Sequence, residues 1–361
     1  MFSLSVSVER RYGIGLFLQC LIQVLPQLKL KSFDFSTFQC IYTLSDIVSE
    51  SEIQQLSQVI STQEHLESLV VDIPIGDVLL RSLILSPKLI VASWVLHPID
   101  SNLNNIRITS ADIPFRNVKE LKLNVWDLHF VSSLLRPLDQ MFHTFHLGLN
   151  GLHNAETISA FLTILASPQR TDSLQSIRLT FHIAYHSPEH NIPYNNSVHT
   201  LTYRALYPLT SFKHLRELRL HPYNLIFLSD EELAELVHNW PMLEVLQLKC
   251  IHGCYGTPLT LRGLLSLLTL CPRLRELGLS LDAREVPETT SVDVRNTILT
   301  SINLPDSPIR NARPVADFFS RHLPFVKFID TYFFGNWSTS YEPPAEYHLL
   351  WIQVREYLQG K

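Results

Sequence analysis

The sequence predicts an α/β fold: a solenoid with a curved parallel sheet inside and irregular helices outside. Three observations predict it. First, one phrase returns, L-x-x-L-x-L, as in HLRELRL (214–220), MLEVLQL (242–248) and RLRELGL (273–279). Its end alternates apolar and polar, the pattern of a strand with one buried face. Second, stretches with helical spacing precede the copies, SDEELAELVHNWP before one and TLRGLLSLLTLCP before another. Third, the middle residues of successive copies lie 28 (Arg219 to Gln247), 31 (Gln247 to Gly278) and 25 (Gly278 to Asn303) residues apart. Steps of about 20 to 30 residues carrying this phrase mark a leucine-rich-repeat solenoid, in which each unit packs only on its neighbours.

The elements follow in order. GIGLFLQCLIQVL (13–25) reads as a helix, too short to span a bilayer and without a small-residue cleavage site, so 1–26 is an N-terminal helix or cap. Strand phrases then come at Leu30/Phe33/Phe35, Leu66/Leu69/Val71, Leu89/Ala92/Trp94 and, in NLNNIRI, Leu103/Ile106/Ile108. They continue at Val118/Leu121/Leu123, Phe142/Phe145/Leu147 and Leu174/Ile177/Leu179. After the three phrases quoted first come Leu299/Ile302/Leu304 and Val326/Ile329/Thr331. Ser229 is the expected N-cap of one intervening helix, with acids in its first turn and Pro241 as its stop, and Pro272 stops the next. NAETISAFLTILASP and RPVADFFSRHLP repeat the arrangement. Steps as short as 15 (Arg107 to Lys122) and as long as 41 (Arg178 to Arg219) imply uneven helices and loops on the outer side. The solenoid is expected over 27–335. A cap helix is expected over 336–361, where YHLLWIQVREYL and the aromatic tail Phe333, Phe334, Trp337, Tyr341, Tyr347 and Trp351 fit the covering of a last repeat. A parallel-sheet enzyme also alternates strand and helix, but here about ten strands share one phrase and none is followed by a glycine fingerprint.

Composition excludes several functions. An apolar fraction of 46% allows a large core, while a net charge of -5 offers no basic excess for nucleic acid. Eleven glycines leave little for phosphate cradles, and no G-x-S-x-G, G-x-x-x-x-G-K-[ST] or H-E-x-x-H occurs. No catalytic activity and no cofactor is expected. The odd set of cysteines, Cys20, Cys40, Cys250, Cys254 and Cys271, does not read as a disulfide framework, so a reducing compartment, cytoplasm or nucleus, is expected. The sequons at Asn195 and Asn336 carry meaning only in a secreted protein. His182, His186 and His190 stand four apart, a zinc spacing on a helix, but Pro188 breaks any helix across them and a polar loop is the better account. Cys250, His252 and Cys254 are too close together for a structural zinc site and have no fourth ligand nearby in sequence, so neither cluster is expected to hold a metal.

The leucines of each phrase point inward, so its middle residue points to the concave face. In order these are Val70, Ser93, Arg107, Lys122, His146, Arg178, Arg219, Gln247, Gly278 and Asn303. The five from Arg107 to Arg219 are basic or become so on protonation, and strands about 4.8 Å apart would line them into a stripe on the order of 20 Å long. Arg107, Lys122, His146, Arg178, Arg219 and Gln247 are therefore the candidate contacts for a protein ligand that is acidic or phosphorylated. Glu120 and Glu217 stand alongside and could blunt this field.

LTYRALYPLTSFKHLRELRL, SDEELAELVHNWPMLEVLQL, TLRGLLSLLTLCPRLRELGLSLDA and ADFFSRHLPFVKFID together resemble the fungal F-box proteins with a divergent leucine-rich-repeat tail, from about residue 27 on. The resemblance implies the substrate-binding part of a ubiquitin-ligase subunit, with its protein ligand on the concave face. Members of that family usually begin with an F-box, the helical module that holds the ligase adaptor. Here the first repeat is under way near Leu30, and LPQLKL (25–30) runs straight into a strand. An adaptor is therefore expected as a partner only through an F-box upstream. The other reading is a stand-alone scaffold or inhibitor unconnected to ubiquitination.

Overall fold

The computed structural model describes residues 2–8, 14–37, 49–74, 79–80, 82–83, 86–95, 115–136, 142–151, 153–182, 200–222, 225–249, 257–288, 294–331 and 345–360. The chain divides into two compact units, Met1–Gly151 with His182–Ser187, and Leu152–Phe181 with Pro188–Lys361. Both are built on the same rung, a leucine-rich repeat whose strands are parallel and taken in chain order. Parallel neighbours need a crossover between them, and among the described residues helices supply several of these crossovers.

In the first unit six strands pair each with the next: β1 (Phe2–Val8), β2 (Leu30–Thr37), β3 (Ser68–Pro74), β4 (Val91–Val95), β5 (Glu120–Val125) and β6 (Thr144–Asn150). Helices α1 (Ile14–Val24), α2 (Glu50–Ser61) and α3 (Leu128–Leu135) lie between them in sequence. Leu69, Ala92, Leu121 and Phe145 stand in one register across β3 to β6, and all are fully buried.

The second unit holds β7 (Ser176–His182), β8 (Glu217–His221), β9 (Val245–Leu248), β10 (Glu276–Leu279), β11 (Ser301–Asn303) and β12 (Phe328–Asp330). Its longer helices are α4 (Ala155–Leu165), α5 (Asp230–Val237), α6 (Leu261–Leu270), α7 (Ala312–His322) and α8 (Ala345–Gln359). The register row Ile177, Leu218, Leu246, Leu277, Ile302, Ile329 is buried throughout. A slip of one residue would turn this whole row to solvent, so the leucine phrase enforces the pairing.

One rung differs from the expectation. β4 pairs with β5, Ser93 opposite Lys122, and the phrase NLNNIRI with Arg107 lies outside the described residues. FSLSVSV forms β1, in register with β2 from Ser3↔Ser32 to Val8↔Thr37. The 1–26 segment, expected as a helix or cap, thus contributes a rung as well as helix α1. β1 lacks the leucine phrase, which is why it escapes a search for that phrase.

The helix ends obey their local chemistry. Ser229 Oγ accepts from the Glu232 N–H at 3.2 Å while Glu232 Oε2 accepts from the Ser229 N–H at 2.9 Å, a capping box. Ser49 and Glu52 do the same for α2. Asp230 at the start of α5 also accepts from the Thr260 N–H at 2.7 Å, tying the start of α5 to that of α6. That approach needs Gly263, because a Cβ there would stand 2.2 Å from Asp230 Oδ1. At the other end of α4 the buried Arg170 donates from Nε to the Leu165 carbonyl at 3.0 Å and from Nη2 to the Ile164 carbonyl. It satisfies carbonyls that the helix leaves open.

α8 packs on α7, burying Trp351 and Val354, with the Trp351 ring stacked on Phe319 at 6.0 Å. Trp351 Nε1 donates to the Ser307 carbonyl at 2.8 Å. Phe333, Phe334, Trp337 and Tyr341 lie outside the described residues, and no described helix is long and apolar enough to cross a membrane.

The two described cysteines sit in opposite environments. Cys20 is exposed on α1, whereas Cys271 is buried after α6, where desolvation pushes its thiol up to about 12. The thiolate is the reactive form. Iodoacetamide on the native protein should therefore alkylate Cys20 at least about 100-fold faster than Cys271, whose labelling waits on unfolding. Peptide mass spectrometry against time reads both, and equal rates would contradict the packing.

Candidate functional site

On the face of the second unit's strands opposite the leucine row the middle residues form one continuous row: Arg178, Arg219, Gln247, Gly278, Asn303, Asp330, of which Gln247, Gly278 and Asn303 are buried. Side chains two places away on a strand share its face. Ser176, Glu217 and Glu276 therefore flank the row on one side, and His221 and Lys249 on the other.

Arg219 is the centre of a locked network. Its Nη1 and Nη2 meet Glu276 Oε1 and Oε2 at 2.8 and 2.7 Å, a bidentate pair reaching from β8 to β10 across β9, and its Nε donates to Glu217. Val245 occupies the corresponding place on β9, leaving that path free of a polar competitor. Glu217 also accepts from Arg178 Nη2 at 3.0 Å and from Ser176 Oγ at 3.1 Å. Gln247 gives its Nε2–H to Glu276, and its carbonyl oxygen accepts from His221 Nε2 at 2.8 Å. Asn303 Nδ2 donates to Asp330 Oδ2 at 2.5 Å.

The electrostatics follow from these contacts. Burial alone would raise the Glu217 carboxyl, but hydrogen bonds from Arg219 and Arg178 outweigh it and bring it down to about 2. Arg219 likewise holds Glu276 below the usual carboxylate range. Burial takes His221 down to about 4, with Lys249, Arg219 and Arg178 adding repulsion, so it is neutral at physiological pH. Burial also lowers Lys249, against the pull of Asp330 and Glu276. Gly278 has a specific use here: a Cβ would stand 2.4 Å from Lys249 Cε, so the missing side chain lets the lysine stem lie across β10.

The expected contacts are thus divided. Arg178, Arg219 and Gln247 come together in the second unit. Lys122 and His146 are register neighbours in the first, with Lys122 Nζ 2.5 Å from Glu120 Oε1. Arg107 is outside the described residues, and Ser93 and Lys122 are direct neighbours. In the second unit the expected cationic stripe is balanced. Arg178, Arg219 and Lys249 face Glu217, Glu276 and Asp330, because residues of opposite charge occupy the same face. His221, Lys249, Glu276 and Asp330 were absent from the candidate set, although the two-residue period of a strand would have found the first three beside Arg219, Gln247 and Gly278. Of the sequence clusters, His182 closes β7, while His186, His190, Cys250, His252 and Cys254 lie outside the described residues.

This arrangement presents fixed donors and acceptors on rigid strands, the equipment of a recognition surface. Arg178 is more open than Arg219, its side chain 40% exposed against 18%, although its Nε is buried without a hydrogen-bond partner.

No family model matches the chain, and no curated protein matches it. A chain in the crystal structure of the Rad7 and Elc1 complex in yeast is similar at 13% identity and a TM-score of 0.36, over 92% of this chain and 87% of that one. A likeness this distant decides nothing about a ligand.

Proposed function

We propose that the protein is a protein-recognition module that holds its ligand on the exposed face of the repeat strands. It would work as the substrate-binding repeat region of an F-box ubiquitin-ligase subunit does, in the cytoplasm or nucleus. The observation supporting this is the Arg178–Glu217–Arg219–Glu276–Gln247–His221 network. Side chains already held in place lose little freedom on binding, which favours affinity and specificity together. The partner's carboxylate or phosphate would meet the exposed part of the Arg178 guanidinium, and its remaining polar groups would match the balanced charges beyond it.

The test is affinity capture with the full chain, comparing wild type with Arg178→Ala and with the double variant Arg178→Glu, Arg219→Glu. A specific partner should lose about 5- to 10-fold in affinity with the first and more than about 10-fold with the second. A partner whose binding is unchanged by a folded double variant would remove the exposed row from consideration. Adaptor protein in the same captures separates the ligase reading from a free-standing scaffold.

A further inference from the structure

The helical side of the second unit carries a pocket of ≈ 500 Å³, lined among others by Tyr203, Tyr207, Thr210, Glu235, His238 and Asn239. None of these belongs to the network on the strands. Tyr203 opens a one-turn helix (Tyr203–Leu206) and Tyr207 the 3-10 turn that follows (Tyr207–Ser211). Four residues apart on helical backbone, the two rings fall on one side. Their planes stand at 69° with centroids 5.8 Å apart, two walls of a corner, and Tyr207 is 56% exposed. A cation within about 6 Å of one ring in such a corner is within reach of the other.

The third wall is acidic. Glu235 lies in the last turn of α5, the negative end of that helix dipole, where a carboxylate is unfavourable and a base would be favoured. No base stands in that turn, and the first turn already holds Asp230, Glu231 and Glu232. Glu235 takes part in no ion pair among the described residues, while the nearby Lys213 gives its Nζ–H to Asn239. Glu235 lies against Tyr203, whose phenol is pushed up to about 12 by burial and then by that carboxylate. That contact is with a neutral phenol, and His238 follows only as the C-cap. The helix-end rule is therefore broken within the turn itself, and such a place is where function is expected.

The geometry points to a receptor site for an alkylammonium group, the head of a lysine-type side chain on a protein ligand, held between the Tyr203 and Tyr207 rings and Glu235. Ring faces, carboxylate and helix C-terminus all repel an anion and attract a cation. The site rests on contacts separate from those of the exposed row, so either can fail alone.

The experiment is a titration of the full chain, with 13C-labelled tyrosines, against tetramethylammonium, Nα-acetyl-trimethyllysine methylamide and choline, with sodium chloride as the ionic-strength control. Saturable shifts of tyrosine ring signals are expected, with a dissociation constant of about 1–10 mM for tetramethylammonium. The lysine derivative should bind at least as well as choline. Tyr207→Ala, at an exposed position, should weaken binding about 10-fold or more. Glu235→Gln should weaken it several-fold while raising the melting temperature, a combination that a purely structural glutamate would not give. Linear, salt-like shifts, or affinities indifferent to both variants, would overturn the site. Choline binding about 10-fold tighter than the lysine derivative would overturn the protein source.

Discussion

Trp351→Ala is expected to lower the unfolding free energy by about 3–5 kcal/mol. Three losses combine. The substitution removes one of the largest fully buried side chains, opens a cavity against Phe319, and leaves the Ser307 carbonyl without its indole donor. Replacing a buried Trp by Ala costs several kcal/mol from transfer and cavity terms, and an orphaned buried acceptor adds about 1–3 kcal/mol where water cannot reach it. If α8 is the cap of the ladder, the damage spreads inward, with faster amide exchange in α7 (Ala312–His322) and β12 (Phe328–Asp330). Urea unfolding and exchange mass spectrometry measure both. A loss below about 1 kcal/mol with unchanged exchange in α7 would mean that α8 is an appendage.

Acid should destabilise the protein in two stages. The folded-state His221 titrates near 4, below its ordinary 6.5, so between those values the unfolded chain binds the proton and the folded chain resists it. Stability from this group is complete above about pH 6.5 and drains away as pH falls towards 4, a loss of roughly 2–3 kcal/mol by pH 4.5 at 1.36 kcal/mol per pKa unit. Glu217, depressed to about 2 from 4.5, adds its own loss below pH 4.5. Because Glu217 is partly solvated, screening trims that loss to about 1–2 kcal/mol. His221→Gln keeps a donor for Gln247 and removes the titration, so its urea midpoint should change far less between pH 7 and pH 4.5 than that of the wild type. Parallel pH dependence in the two proteins would place the acid sensitivity elsewhere.

What could be read in advance divides along physical lines. Strand and register were legible wherever the leucine phrase occurs, because burial on one face demands that spacing: HLRELRL, MLEVLQL and RLRELGL became β8, β9 and β10 with their leucines aligned. The N-cap at Ser229 was legible from four residues. β1 was not, since alternating serine with Phe2, Leu4, Val6 and Val8 satisfies a strand without the phrase. At the candidate site the row positions were legible and its charge was not. Arg219 looks free in a one-dimensional reading, but its bidentate partner Glu276 is 57 residues away and meets it only through the register.

The Arg219–Glu276 clamp also has a mechanical meaning. A rung of this ladder joins only its neighbours, so a chain drawn out from its carboxyl end should surrender β12, then β11, one at a time. From Gln247 to Asp330 the middle residues are 25 to 31 positions apart, so each release would add roughly 90–110 Å of contour at about 3.5 Å per residue. The arginine reaches over β9 to hold β10 on β8, and there the sequence of small yields should stop. These three strands would part together, at a higher force, as a single clasp.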